Sequence, residues 1–199
     1  MAEVVTELLT DGADPNYAAM RGGATALATA AQHGNLEAMR ALLDKGAAVD
    51  MYGGLALWSA AYTDNDECAR ALISAGASPD LIPYPGRQQP HSGETPLMSS
   101  RVTPSMVRIL CEGGANVNFV SIHGHTPLSM AIALGNFEAF SSMHTLGAKS
   151  VGRSLTRELD YYDNRELDMW KKCDPEDALL CAEGRSKIRE YIQQHALGA

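Results

Sequence analysis

Apolar residues recur along this chain in short stripes with helical spacing, and each pair of stripes ends at a Gly-Ala dipeptide. In the clearest copy, Leu27, Ala30 and Ala31 stand at i, i+3 and i+4, which predicts one apolar face of a short helix. Neither helix of such a pair can bury its stripe alone, so the pattern predicts helix pairs that stack on their neighbours. The dipeptides begin at Gly12, Gly46, Gly76, Gly114 and Gly147.

The spacing of these dipeptides predicts a repeat array. The successive steps are 34, 30, 38 and 33 residues, and a period of about 33 residues indicates a stacked helical array. Within the second copy we expect the Thr25 hydroxyl to cap the first helix and Gly34 to end it in the left-handed conformation. In the third copy Asp64 stands where that glycine belongs.

Several motifs resemble the ankyrin-repeat signature Thr-Pro-Leu-His-x-Ala-Ala, followed by Gly, a Leu-Leu pair and Gly-Ala-x-x-Asn. The matching segments are Thr95-Pro96-Leu97, Thr126-Pro127-Leu128, Ala30-Ala31-x-x-Gly34 and Ala60-Ala61. The resemblance covers about 150 of the 199 residues. It implies an all-α ankyrin-repeat solenoid, built of stacked helix-turn-helix units with β-turn tips, and closed by a C-terminal helical cap.

The predicted organisation starts within a repeat. We expect a partial N-terminal repeat over 1–18, ankyrin-like repeats over 19–50, 51–80, 93–119 and 120–149, a Pro-rich inserted loop over 81–92, and a charged helical extension over 150–199.

The extension has two open interpretations. It is either a polar cap on the array or a docking helix for a partner, centred on Tyr161, Tyr162 and Trp170. Its second half has an apolar stripe at helical spacing, made of Leu179, Leu180, Ile188, Tyr191 and Ile192.

The resemblance also implies where a partner would bind. Ankyrin-repeat arrays bind partners on a concave face formed by the turn tips and the first helices. The positions carried over are Gln32, His33, Met51, Tyr52, Trp58, Tyr62, Met98, Arg101 and Met130, and the inserted loop adds Tyr84, Arg87 and His91. The aromatic and Met residues are expected to form an exposed patch typical of interfaces. The alternatives are that Trp58 and Met98 pack inward and that the loop is simply disordered.

Charge and cysteine usage narrow the kinds of partner. The net charge of −8 argues against nucleic acid, which requires clustered Lys and Arg, and favours a protein with a basic surface. No apolar run is long enough to span a membrane, and no signal peptide is seen.

Four cysteines without paired spacing predict free thiols in a reducing compartment, most simply the cytoplasm or nucleus, or an organelle after transit-peptide removal. The chain is expected to be a monomer or a subunit of a hetero-complex.

Residues with potential chemistry favour structural roles. His123-Gly124-His125 has no third ligand nearby and is interpreted as an ordinary turn, so no metal or cofactor is expected. Cys111 is expected to be buried and inert, and acidic neighbours are expected to raise the pKa of Cys68. Asn118 resembles the turn Asn that asparaginyl hydroxylases modify, although Asn at such a turn usually bonds local backbone.

The predicted function is therefore non-catalytic protein–protein binding, as an adaptor, a scaffold or a subunit of a larger complex. One alternative is an inhibitor or regulatory subunit that occludes an enzyme's site. Another is a targeting module of an enzyme whose catalytic domain lies upstream.

Overall fold

The computed structural model describes residues 2–18, 24–83, 93–99, 101–150, 154–169 and 175–195, apart from the side chains of residues 2, 164–169 and 175–178. The chain divides into two compact units, Met1–Asn116 and Val117–Ala199. The helices of the first unit are α1 (Ala2–Thr10), α2 (Ala26–Gln32), α3 (Leu36–Asp44), α4 (Met51–Tyr62), α5 (Asp66–Ser74), a 3₁₀ helix (Pro96–Met98) and α6 (Pro104–Glu112). Those of the second are α7 (Pro127–Ala133), α8 (Phe137–Thr145), α9 (Leu155–Met169) and α10 (Pro175–Gln194).

The first unit is a stack of helix pairs. Helix α2 packs against both its own partner α3 and the next first helix, α4, while α3 packs against α1 and α5. The stripe residues Leu27, Ala30 and Ala31 are all buried, as are Met39 and Leu42 on α3. Stacking thus removes from water the faces that no single helix could bury, which is the main stabilising contribution in such a fold.

The predicted helix caps are confirmed. The Thr25 hydroxyl accepts a hydrogen bond from the Ala28 amide at 3.0 Å, and Gly34 ends α2 with a φ of +65°. At the equivalent position of the third repeat, Asp64 adopts the same left-handed conformation, with a φ of 57°. A residue with a side chain is disfavoured there, but the Asp64 carboxylate accepts a 2.7 Å hydrogen bond from the Thr103 hydroxyl at the start of α6.

A ladder of side-chain hydrogen bonds links successive Gly-Ala-x-x-Asn/Asp segments. Asn16 accepts from the Ala48 amide at 2.7 Å, Asp50 from Ser78 at 3.0 Å and Asp80 from Asn116 at 3.0 Å. In the second unit, Asn118 accepts from the Lys149 amide at 2.7 Å and its Nδ2 donates to the Gly147 carbonyl. The expectation that Asn118 bonds local backbone is therefore wrong, because its partners lie one repeat further along the chain.

The third repeat departs from the pattern before its first helix. Only Met51–Gly54 separates Asp50 from Leu55, and Tyr52, Gly53 and Gly54 all have positive φ angles of 54°, 71° and 73°. Regular helix in α4 therefore starts at Leu55. The tight left-handed turn takes the place of the longer tip that precedes α2.

The fourth repeat has a shortened first helix. Thr103 stands eight positions after Thr95, whereas Asn35 stands ten positions after Thr25 and Asn136 ten positions after Thr126. Consequently only the 3₁₀ helix Pro96–Met98 forms, and the Thr95 side chain makes no cap hydrogen bond. By contrast, Thr126 forms a complete capping box with Ser129.

These two Thr-Pro-Leu segments provide a matched stability test. Thr126→Val is expected to lower the free energy of unfolding by about 1 kcal/mol, because the Ser129 amide loses its acceptor. Thr95→Val is expected to cause no loss, because the buried Thr95 hydroxyl has no partner among the described residues and its removal leaves nothing unsatisfied. Urea unfolding of both variants checks this, and an equal loss in both would contradict it.

The C-terminal extension packs onto the last repeat of the second unit. Helix α10 contacts α7, α8 and α9, and α9 contacts α7. Leu159, Ile188 and Ile192 are buried. The Arg185 side chain is 1% exposed; its Nε donates to Asp163 at 2.8 Å and its Nη1 to the Ala133 carbonyl at 3.0 Å. A polar pair of helices held in this way is the arrangement expected of a cap.

The apolar stripe predicted in the second half of the extension is buried only at its later residues. Leu179 and Leu180 are 62% and 68% exposed, whereas Ile188 and Ile192 are buried. The apolar contact of α10 is thus concentrated in its second half. Trp170, on which the docking-helix alternative depends, lies outside the described residues.

Candidate partner-binding surface

The predicted patch residues of the first unit differ in exposure. Gln32 and His33 at the end of α2 are exposed, as is Arg101, and Tyr52 is 37% exposed. Met51 and Tyr62 are half-buried. These residues retain enough free surface to contact a partner.

Trp58 and Met98 are buried, at 7% and 1% exposure, so the expectation that they form an exposed patch is wrong. Trp58 lies in a run of α4 that is buried from Gly54 to Ala61 because α4 packs against α2 on one side and the 3₁₀ helix on the other. Met98 ends that 3₁₀ helix, which packs against α4. The inward-packing alternative applies to both.

Four of the predicted residues lie outside the described part of the first unit. Met130 is half-buried on α7 and belongs to the second unit. Tyr84, Arg87 and His91 of the inserted loop lie outside the described residues.

Three of the predicted residues form one stack. The rings of Trp58 and Tyr62, one helical turn apart on α4, are 5.1 Å apart at their centroids and tilted by only 10°. The Arg101 guanidinium carbon lies 5.7 Å from the centroid of the Tyr62 ring. A cation over an aromatic face at this distance contributes roughly 0.5–1 kcal/mol at an exposed site. The stack therefore holds the exposed Arg101 guanidinium over the half-buried Tyr62 ring, which in turn stacks on the buried Trp58 ring.

The shortened first helix of the fourth repeat places Arg101 on this stack. The chain leaves the 3₁₀ helix at Ser99 and reaches the α6 cap at Thr103, so Arg101 lies in the short connection between the two helices. The Thr103–Asp64 hydrogen bond then ties the α6 cap to the end of α4. This hydrogen bond was not predicted from the sequence, although Asp64 in place of the expected glycine could have indicated it.

The start of the inserted loop lies against the same repeat. A Cβ atom on Gly53 would overlap the Ile82 carbonyl oxygen, and one on Gly54 would lie 3.1 Å from the Leu81 Cβ. Pro83 is buried. The Leu81–Pro83 segment thus passes over two glycines that leave room for it. The steps of 30 and 38 residues in the repeat spacing mark the short tip and the long loop that meet here.

Other groups with potential chemistry are placed in structural settings. Burial raises the pKa of the Cys68 thiol, and the nearby Glu67 carboxylate raises it further. The predicted direction is confirmed, although burial is the larger cause. Burial also raises the pKa of the Cys111 thiol, and the Asp80 carboxylate raises it by a smaller amount. Cys111 is only half-buried, so the expectation of full burial is wrong: the second residue of the Leu pair sits at the edge of the core.

The histidine pair before α7 lies in a turn, as predicted. The Ser121 amide donates to the His125 carbonyl at 2.8 Å, and the Gly124 amide donates to the Ser121 carbonyl at 2.9 Å. Within the described part of the chain, no group of three or more His, Cys, Asp or Glu side chains is placed to hold a metal ion. None of the described helices combines the length and apolarity that a membrane span requires.

Comparison with known proteins agrees with this architecture. Residues 1–83 match the family of ankyrin repeats, over three copies. The crystal structure of the ankyrin repeat domain of Bcl-3, described as a unique member of the IkappaB protein family, is similar with a TM-score of 0.66 and 27% sequence identity, over 80% of this chain and 76% of that one. A search of curated protein sequences gives no match.

Residues 1–83 carry ankyrin repeats, and the fold of the chain is that of an ankyrin-repeat array. The ankyrin-repeat fold is a protein–protein interaction module and in general is not catalytic.

Proposed function

We propose that this chain is an adaptor, scaffold or subunit of a larger complex, and that it binds a partner protein at the exposed surface around Tyr62 and Arg101. One observation supports this location above others. The short tip before α4, the insertion after Asp80 and the shortened first helix after Thr95 all depart from the repeat pattern, and the tip, the Leu81–Pro83 segment and the 3₁₀ helix all lie against α4 or its first turn. Departures from a regular scaffold concentrate where function requires them.

The stack supplies features that interfaces favour. Tyr and Arg are enriched among the residues that dominate binding energy. Arg101 has no carboxylate partner among the described residues, while Tyr62 holds its guanidinium in place. A partner carboxylate placed on Arg101 would form a charge-assisted hydrogen bond, and a ring that already supports Arg101 lowers the ordering cost of that bond.

The remainder of the partner's surface is proposed to be basic. The chain carries a net charge of −8, and complementary charge accelerates association and discriminates against wrong partners. We further propose that the protein works in a reducing compartment, since Cys68, Cys111 and Cys181 are free thiols.

The proposal is tested by affinity purification of the tagged full chain from native extract. Arg101→Glu is expected to lower recovery of the partner at least about tenfold, because it reverses the charge at the centre of the surface. Arg108→Glu is the matched control, because Arg108 is also an exposed arginine and lies on α6. Equal recovery with both variants would contradict the proposed site.

The same experiment separates the kinds of binding role. If the partner is an enzyme and keeps its activity in the purified complex, the adaptor or scaffold role is supported. If activity returns only on release of the partner, the chain is an inhibitor.

A further inference from the structure

Of the Ser-Pro and Thr-Pro dipeptides in this chain, one keeps both of its residues accessible. The four dipeptides, all within the described residues, are Ser78-Pro79, Thr95-Pro96, Thr103-Pro104 and Thr126-Pro127. In three of them the proline is buried, and Thr95 and Thr126 are buried as well. Thr103 and Pro104 are only half-buried, and Thr103 has an extended backbone with a φ of −92° and a ψ of 165°. A proline-directed protein kinase must contact both residues of its acceptor dipeptide, so Thr103 is the one such position that the fold presents.

Thr103 and the residue it contacts both depart from the repeat pattern. Helices α3, α5 and α8 have Asn at the N-cap position, where α6 has Thr103. Asp64, in turn, stands where α2 and α7 are followed by a glycine. The Thr103 hydroxyl donates to Asp64 at 2.7 Å and accepts from the Met106 amide at 3.3 Å. Because Asn caps a helix at least as well as Thr does, capping alone does not explain a hydroxyl at this position.

A phosphate on Thr103 would reverse the contact with Asp64. The proton that bonds Asp64 would be lost, and a charge of about −1.5 to −2 would take its place at neutral pH. Asp66 accepts a hydrogen bond from the Ser105 hydroxyl, so a second carboxylate lies at the start of α6. Repulsion would leave Asp64 in its left-handed conformation, which a side chain disfavours, without the bond that holds it. The cap of α6 itself persists, because amides at a helix N-terminus bind phosphate oxygens.

Arg101 is the cation that such a phosphate would attract. It is exposed, lies two residues before Thr103, and has no carboxylate partner among the described residues. Its contact is with the ring of Tyr62, at 5.7 Å from the centroid. An arginine–phosphate pair is charge-assisted and is stronger than a cation–π contact at an exposed site. Phosphorylation is therefore expected to draw Arg101 away from Tyr62.

We propose that Thr103 is a phosphorylation site for a proline-directed protein kinase, and that its phosphorylation weakens partner binding at the Tyr62–Arg101 surface. In the reaction Oγ1 of Thr103 forms a bond to the γ-phosphorus of ATP, the bond from that phosphorus to the bridging oxygen breaks to release ADP, and the hydroxyl proton passes to the catalytic base of the kinase. The effect on partner binding rests on the function proposed above, whereas the modification and its effect on the Asp64 turn do not.

The modification is tested on the purified full chain with ATP and a proline-directed kinase of the mitogen-activated class, followed by peptide mapping in the mass spectrometer. We expect one phosphate, on Thr103. Thr103→Ser should retain this phosphate, whereas Pro104→Ala and Thr103→Asn should each abolish it. Thr103→Asn is the matched control, because it removes the hydroxyl and supplies the cap residue of α3 and α8. The control is therefore expected to remain folded.

The effect on structure is measured by hydrogen exchange of the phosphorylated chain. We expect faster exchange over residues 63–67 and no change over residues 107–112, since the Asp64 turn loses its bond while the α6 cap persists. In the affinity purification from native extract, the phosphorylated chain is expected to recover at least about tenfold less partner than the unmodified chain. Thr103→Asn treated with the kinase should recover as much partner as its untreated sample.

The proposal fails on any of three results. The first is a chain without phosphate on Thr103, or one that also carries phosphate on Thr95 or Thr126, which would show that the kinase acts on unfolded protein. The second is exchange over residues 63–67 that phosphorylation leaves unchanged. The third is equal recovery with the phosphorylated and unmodified chains while Arg101→Glu still lowers it. If Arg101→Glu leaves recovery unchanged, the proposed partner site fails instead, and the first two measurements decide whether Thr103 is the modified position.

Discussion

Gly184→Ala is expected to destabilise the second unit by about 3 kcal/mol, at the upper end of the cost of overpacking. A Cβ atom on Gly184 would overlap the backbone carbonyl of Gly135, and a Cβ on Gly135 would overlap the carbonyl of Cys181. The obstruction is backbone on both sides, so no flexible side chain can move aside. Alanine in a helix interior normally stabilises a protein by up to about 1 kcal/mol relative to glycine. A loss of stability in Gly184→Ala would therefore indicate the contact between Gly184 and Gly135.

Hydrogen exchange measured by mass spectrometry would localise the effect. In Gly184→Ala, exchange is expected to rise across α9 and α10 more than in the helices of the first unit, because α10 can no longer sit on the turn before α8. Ser186→Ala, at an exposed position of the same helix, should change stability by less than about 0.5 kcal/mol. A stability equal to or above that of the parent chain in Gly184→Ala would show that α10 does not lie on Gly135.

Gly53→Ala is the second substitution with a large expected effect, also about 3 kcal/mol. The residue has a φ of +71°, which a side chain disfavours by roughly 1 kcal/mol. In addition its Cβ would overlap the Ile82 carbonyl, so the start of the inserted loop must move off the turn before α4. The loss is expected in urea unfolding, together with faster hydrogen exchange of residues 78–83.

Gly12→Ala separates these two contributions. Gly12 has a φ of +95°, yet nothing lies within 4 Å of a Cβ built on it. Its substitution therefore reports backbone strain alone, at about 1 kcal/mol. If Gly12→Ala and Gly53→Ala lower the free energy of unfolding by the same amount, the Leu81–Pro83 segment does not contact Gly53.

The regular part of the fold could be predicted from the sequence because its signals are local. A threonine that begins a helix supplies an acceptor to the amide three residues later, and a glycine lets the helix end. Each of these residues determines one turn of the chain. Thr25 and Gly34 behave accordingly. The ladder residue Asn118 was harder to predict, since its partners lie about 30 residues away and only the stacking geometry brings them together.

The candidate surface could be predicted only in part, because exposure depends on the neighbouring repeats. Trp58 and Tyr62 share one face of α4, yet Trp58 is 7% exposed and Tyr62 is half-buried. The sequence pattern assigns both to the same stripe and does not show how far the neighbouring elements bury each of them. Arg101 was among the residues predicted from the sequence, but its position over the Tyr62 ring follows from a helix that is two residues short.

The most direct test of partner binding at the Tyr62–Arg101 surface is photo-cross-linking in native extract. Benzoylphenylalanine replaces Tyr62 in one variant and the exposed Arg108 of α6 in another. We expect the variant altered at position 62 to form a covalent adduct with one protein, and we expect the addition of Arg101→Glu to abolish this adduct. An adduct formed from position 108 but not from position 62 would contradict it.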